Sequence, residues 1–72
     1  MSAIVTRCSQ KTGKIDTQYE TCSFGLAKLW ALQNTTKTKI TVVTDSEDNT
    51  IYCIVKGTDR LPVVTYQSER KR

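Results

Sequence analysis

The sequence contains no histidine, one proline and only three cysteines among 72 residues. Without histidine the commonest general acid–base side chain is missing, and zinc loses its usual nitrogen ligand. Cys8, Cys22 and Cys53 follow no zinc spacing, and three thiols cannot all pair within one chain. No Gly-x-Ser-x-Gly elbow occurs, and sequence alone sets no basic partner beside a cysteine. The expectation is a protein that is not an enzyme, with no cofactor and no metal. Arg7 interrupts the start of the chain before any signal-like apolar region develops. With an odd cysteine count, this favours a reducing, cytoplasmic setting and free, buried thiols. No apolar run approaches the roughly 20 residues of a membrane span.

Three partial motifs lack their essential parts. Lys11-Thr12-Gly13-Lys14 has Cys8 where a phosphate loop needs its first glycine, and Ile15 where it needs Ser or Thr. Asp45, Glu47 and Asp48 suggest part of a calcium loop, but the central glycine is absent and Lys56 stands at the closing glutamate position. Asn34-Thr35-Thr36 matches a glycosylation acceptor, which has no meaning without secretion.

What is present is a set of short β-branched runs around one apolar segment. Residues 3–8 and the alternating stretch 14–20 flank a loop containing Gly13, which predicts a β-hairpin. Pairing Ser9 with Ile15 would put Val5, Arg7, Ile15, Thr17 and Tyr19 on one face and Ile4, Thr6 and Cys8 on the other. A helix follows over 23–34, with Thr21 or Ser23 as N-cap. Residues 39–44 and 51–56 are strands joined by a polar loop, and 61–66 reads as a fifth strand with Pro62 at an edge or strand start. With Thr44 opposite Ile51, Ile40, Val42, Ile51, Cys53 and Val55 would share one face, and Thr41, Val43, Tyr52 and Ile54 the other. The order ββαβββ predicts an α+β two-layer domain: an antiparallel sheet of four to five strands with one helix packed on one face. The whole of 1–72 reads as a single small domain, with 67–72 a charged, frayed tail.

The helix is too apolar for a surface element. Between Phe24 and Leu32 the only polar side chain is Lys28, although a helix on a sheet needs one apolar stripe and not an apolar circumference. Helical phase groups Leu26, Ala27, Leu29 and Trp30 on one arc and sets Ala31 beside the opposite group. Trp30 and Leu26 are therefore expected in the core against Ile40, Val42, Cys53 or Val55, with Phe24, Lys28 and Leu32 outside. Phe24, Leu32, Val43, Tyr52 and Ile54 are the expected apolar partner-binding set, with Trp30 at its margin. Surplus apolar surface also predicts a homodimer or an exposed apolar patch.

The net charge is +4. The excess lies in residues 1–44, and Arg7, Lys11, Lys14, Lys28, Lys37 and Lys39 form the expected basic binding set. No family resemblance is carried by any motif. By size and composition alone the chain suits a small accessory regulator, such as those of phages and mobile elements. The expected function is a non-enzymatic protein-binding module, an inhibitor that occludes a larger cellular machine through a partner with an acidic surface. The alternative is a nucleic-acid-binding domain that uses the basic hairpin for phosphates and Tyr19, Tyr52 or Tyr66 for base stacking. No membrane partner is expected.

Overall fold

The computed structural model describes residues 2–66; the expected tail at 67–72 lies outside them. The fold is the α+β arrangement read from the sequence: β1 (Ala3–Ser9), β2 (Ile15–Thr21), α1 (Phe24–Asn34), β3 (Lys39–Asp45), β4 (Ile51–Lys56) and β5 (Val63–Tyr66). All pairings are antiparallel, and the single sheet has strand order β2-β1-β3-β4-β5. The helix connects the outer strand β2 to the central strand β3. It crosses one face of the sheet, and nothing among the described residues covers the other. No described helix is long and apolar enough to cross a membrane.

Local chemistry fixes the ends. Gly13 takes φ +76° and closes the β1–β2 hairpin, where the Ser9 carbonyl accepts from the Gly13 amide at 2.9 Å. Ser23 caps α1, its hydroxyl oxygen accepting from the Leu26 amide at 3.2 Å. The Thr35 amide ends the helix on the Ala31 carbonyl at 3.0 Å. Pro62 immediately precedes the edge strand β5, where a missing N–H costs no ladder bond.

Two bulges decide which side chains face the helix. The expected β1–β2 register holds from Ala3–Thr21 to Arg7–Thr17, then shifts so that Cys8 meets Ile15 and Asp16 bulges. Ile15 therefore joins Cys8 on the open face, not Arg7 on the inner one. On β3–β4 the expected Thr44–Ile51 pair is present, but Tyr52 bulges and Val43 meets Cys53. Cys53 and Val55 face the helix and Ile54 faces away, as expected, but the bulge sets Val43 and Thr41 of β3 beside them on the inner face. Ile40 and Val42 lie on the open face, away from the helix.

The core is thin and built from small residues. Ala3, Val5, Ala27, Ala31, Val43, Cys53 and Val55 are fully enclosed, with Tyr19, Phe24, Trp30 and Val64 packed around them. The helix seats on the sheet through Ala27 and Ala31, four residues apart on one face. That phase corrects the expected one. Trp30 does pack against the core, its ring 5.5 Å from Tyr19 in an edge-to-face arrangement. Leu26 and Leu29 do not; they are 58% and 50% exposed. Of the expected buried thiols, only Cys53 is enclosed; Cys8 is half-buried, Cys22 is exposed, and all three are free. Burial pushes the Cys53 thiol up from its ordinary pKa.

The loops at one end are locked together by Gln10. Its amide donates to the carbonyls of Lys39 at 2.8 Å and Gly57 at 2.9 Å, while its backbone N–H donates to Thr38 at 2.8 Å. Buried Gly57 passes so close to the α1–β3 loop that a Cβ there would stand 1.6 Å from the Thr36 carbonyl oxygen. Nearby, the enclosed hydroxyls of Thr35 and Thr41 bond each other at 2.6 Å. Gly57→Ala should destabilise the fold by about 3 kcal/mol or more, because backbone must move. Gly13→Ala meets open space and should cost only roughly 1 kcal/mol for its positive φ. Urea midpoints of the two variants check this ordering, and a Gly57→Ala midpoint at or above that of Gly13→Ala would refute it.

Candidate interaction surfaces

The register defines three rows of side chains on the open face of the sheet. Val63, Lys56, Ile40, Cys8 and Ile15 cross it at one end; Thr65, Ile54, Val42, Thr6 and Gln18 cross the middle; Ile51, Thr44, Ile4 and Glu20 cross the other end. Aliphatic side chains thus run through all the central strands. Val63 and Ile15 at the flanks are each 53% exposed. An antiparallel sheet with one wet face normally presents polar residues there. The described aromatic rings lie elsewhere. Tyr19 and Trp30 pack together under the helix, while Phe24 stacks on Tyr52 at 4.8 Å and Tyr52 meets Tyr66 at 5.9 Å. The expected display of tyrosines for base stacking on the sheet is therefore not built.

The helix presents a second apolar surface. Because Ala27 and Ala31 face inward, Leu26 and Leu29 point away from the sheet. Gly25, Lys28, Leu29 and Leu32 line a shallow open groove beside them. Of the expected apolar set, Leu32 belongs to this outer face and Ile54 to the open sheet. Phe24 is half-buried against the core, and Tyr52 lies at the sheet's margin, 37% exposed. Val43 leaves the set, since it is wholly enclosed beneath the helix. Leu26 and Leu29 were missed because an almost uniformly apolar segment carries no phase; the informative signal was the Ala27–Ala31 pair, whose small side chains mark the closest approach.

Charge is segregated by the ends of the sheet, not by the halves of the chain. The β1–β2 hairpin, the α1–β3 loop and the β4–β5 turn meet at one end. They bring together Lys11, Lys14, Lys37, Lys39, Lys56 and Arg60, against Asp16 and Asp59. The opposite end carries Glu20, Asp45, Glu47 and Asp48, with Lys28 reaching over Tyr66 on the helix side of the sheet. The helix runs from the acidic end to the basic end, so its dipole is aligned favourably with both clusters.

The expected basic set divides by what each side chain touches. Arg7 is structural. Its Nε donates to Asp16 at 2.9 Å, Nη1 to the Asn34 carbonyl at 2.8 Å and Nη2 to Thr17 at 3.2 Å, with the guanidinium 5.3 Å from the Trp30 ring centre. It thereby satisfies a free carbonyl at the end of α1, which has no basic residue in its own last turn. Lys39 donates to the other Asp16 oxygen. Lys28 lies over the Tyr66 ring at 5.0 Å, and the Tyr66 hydroxyl beside it raises its pKa. Lys37 faces Asp59 at 3.7 Å across exposed surface. Among the described residues no ion pair engages Lys11 or Lys14, and both are exposed.

Asp16 is held between two cations, Arg7 and Lys39. Hydrogen bonds from Lys39 and then Arg7 keep its carboxyl well below the usual carboxylate range. A depressed folded pKa gives stabilisation that is complete above the ordinary value of 3.8 and fades as pH falls through the folded value. The Asp16 carboxyl carbon, followed by NMR, should therefore titrate well below 3.8, and Asp16→Asn should remove part of the acid-induced loss of stability. A midpoint at or above 3.8 would mean that the Arg7–Asp16–Lys39 group does not hold in solution.

No family model, curated protein or solved structure matches this chain.

Proposed function

We propose that the chain is a small non-enzymatic protein-binding module, an inhibitor or accessory regulator that covers part of a larger partner. The observation that supports this reading most is the outward leucine face of α1. A helix already seated by Ala27 and Ala31 has no packing use for Leu26 and Leu29, yet both are more than half or half exposed where charged side chains are usual. Residues three apart on a helix face make a ridge that fits an apolar groove, and Leu32 with Gly25 provides a recess beside it. Lys28 at the rim and the basic end of the sheet suit a partner with an acidic border, which they would attract before the leucines dock.

A nucleic-acid reading keeps one supporting observation, the gathering of Lys11, Lys14, Lys37, Lys56 and Arg60 at one end. It lacks an aromatic platform among the described residues of the open face. Capture from native extract separates the two. Leu26→Asp with Leu29→Asp should abolish the partner with the unfolding midpoint nearly unchanged, since solvent-facing positions shift stability by only about 0.5 kcal/mol. Nuclease should leave the partner bound. If nuclease releases the partner, or if Lys11→Ala with Lys14→Ala abolishes capture and flattens its salt dependence while the leucine changes do nothing, the phosphate reading replaces this one.

A further inference from the structure

The open face of the sheet is a separate surface from the leucine ridge, on the other side of the molecule. Its middle and end rows place Ile4, Cys8, Ile40, Val42, Ile51 and Ile54 side by side with no layer over them among the described residues. Five strands at ~4.8 Å spacing and about 3.3 Å per residue make a face roughly 20 Å across, and sheets stack face to face at ~10 Å with their strands close to aligned. We infer that this face is covered by a second copy of the chain, packed sheet on sheet with the strands of the two copies running in opposite directions.

The occupant and its orientation are argued from charge. Two sheets stacked with near-aligned strands under a two-fold axis in the interface plane have two arrangements. An axis along the strands sets the basic end over the partner's basic end and the acidic end over its acidic end. An axis across the strands sets basic over acidic at both ends. The separation of Lys37 and Lys56 at one end from Asp45, Glu47 and Asp48 at the other favours the second arrangement and opposes the first. In it, the β3–β4 loop of one copy lies towards the α1–β3 loop and Lys56 of its partner. A two-fold interface is self-complementary by construction. Among the described residues, a basic end and an acidic end on either side of an aliphatic centre satisfy that condition with a second copy. The dimer would leave both helices facing outward, with two leucine ridges on opposite sides.

Sedimentation equilibrium of the full chain at micromolar concentrations tests this. The expected species has twice the 8.1 kDa chain mass. Val42→Lys, at the centre of the face, should weaken association by at least about 30-fold while circular dichroism and the unfolding midpoint of the monomer stay near wild type. Charge reversals at exposed positions test the orientation. Glu47→Lys with Asp48→Lys should weaken the dimer, and adding Lys37→Glu with Lys56→Glu should restore it. A wild-type monomer throughout overturns the inference and leaves the leucine-ridge reading untouched. A dimer indifferent to Val42→Lys overturns the choice of face. A dimer indifferent to reversal of the acidic loop, or not restored by the paired reversal, overturns the orientation.

Discussion

The close seat of α1 on the sheet is the constraint on which the rest of the structure depends. Ala27 and Ala31 are the contact, and their lack of bulk lets the helix come down onto Val5, Val43, Cys53 and Val55. Larger residues cannot occupy that layer without lifting the helix. They are displaced to its margins, where Phe24 and Tyr52 close one side, and Trp30, Tyr19 and Arg7 close another. Arg7 then serves four neighbours at once: the helix end, the bulged Asp16, Thr17 and the Trp30 ring. The charge network is a consequence of the helix position and also its lock.

A core whose largest fully enclosed side chains are valine, threonine and cysteine is a small one. In a chain of 72 residues the surface-to-volume ratio already limits burial. This fold nonetheless leaves Leu26, Leu29 and Leu32 on the outside of the helix and its isoleucines on the face that no described residue covers. That distribution is costly for an isolated soluble monomer and is what connects the architecture to function. Both apolar surfaces lie on regular elements, not on loops, so they are pre-shaped and lose little freedom when covered. In the proposed function, the charged loops would sort partners by approach.

Much of this was legible in the sequence. Strand and helix order, the Gly13 hairpin, the Ser23 cap and the edge position of Pro62 each had a local signature. The faces were not, because side-chain alternation has a period of two and one bulged residue inverts everything after it. Asp16 and Tyr52 are such residues, and neither is marked by a glycine or proline. The Tyr52 bulge left Cys53 and Val55 inward and Ile54 outward, as expected, but brought Val43 and Thr41 into the core and sent Ile40 and Val42 to the open face. Helix phase failed for a different reason. Where Leu26, Leu29, Trp30, Phe24 and Leu32 leave apolar residues on every side, hydrophobic periodicity has no contrast to report, and only the size of Ala27 and Ala31 distinguished inside from outside. The basic residues were legible one by one, but their gathering at one end needed the antiparallel topology, which brings Lys56 and Arg60 beside Lys11 and Lys37.

Ala27 and Ala31 face the sheet, and Leu26 and Leu29 face out. Equilibrium urea unfolding of Ala31→Leu beside Leu29→Ala tests this placement directly. Ala31→Leu should lose about 1–3 kcal/mol, because added bulk lifts the helix from β1, β3 and β4. Leu29→Ala should change stability by no more than about 0.5 kcal/mol. A stable Ala31→Leu together with a strongly destabilised Leu29→Ala would show that the helix is rotated from the position described, and both apolar surfaces would have to be redrawn.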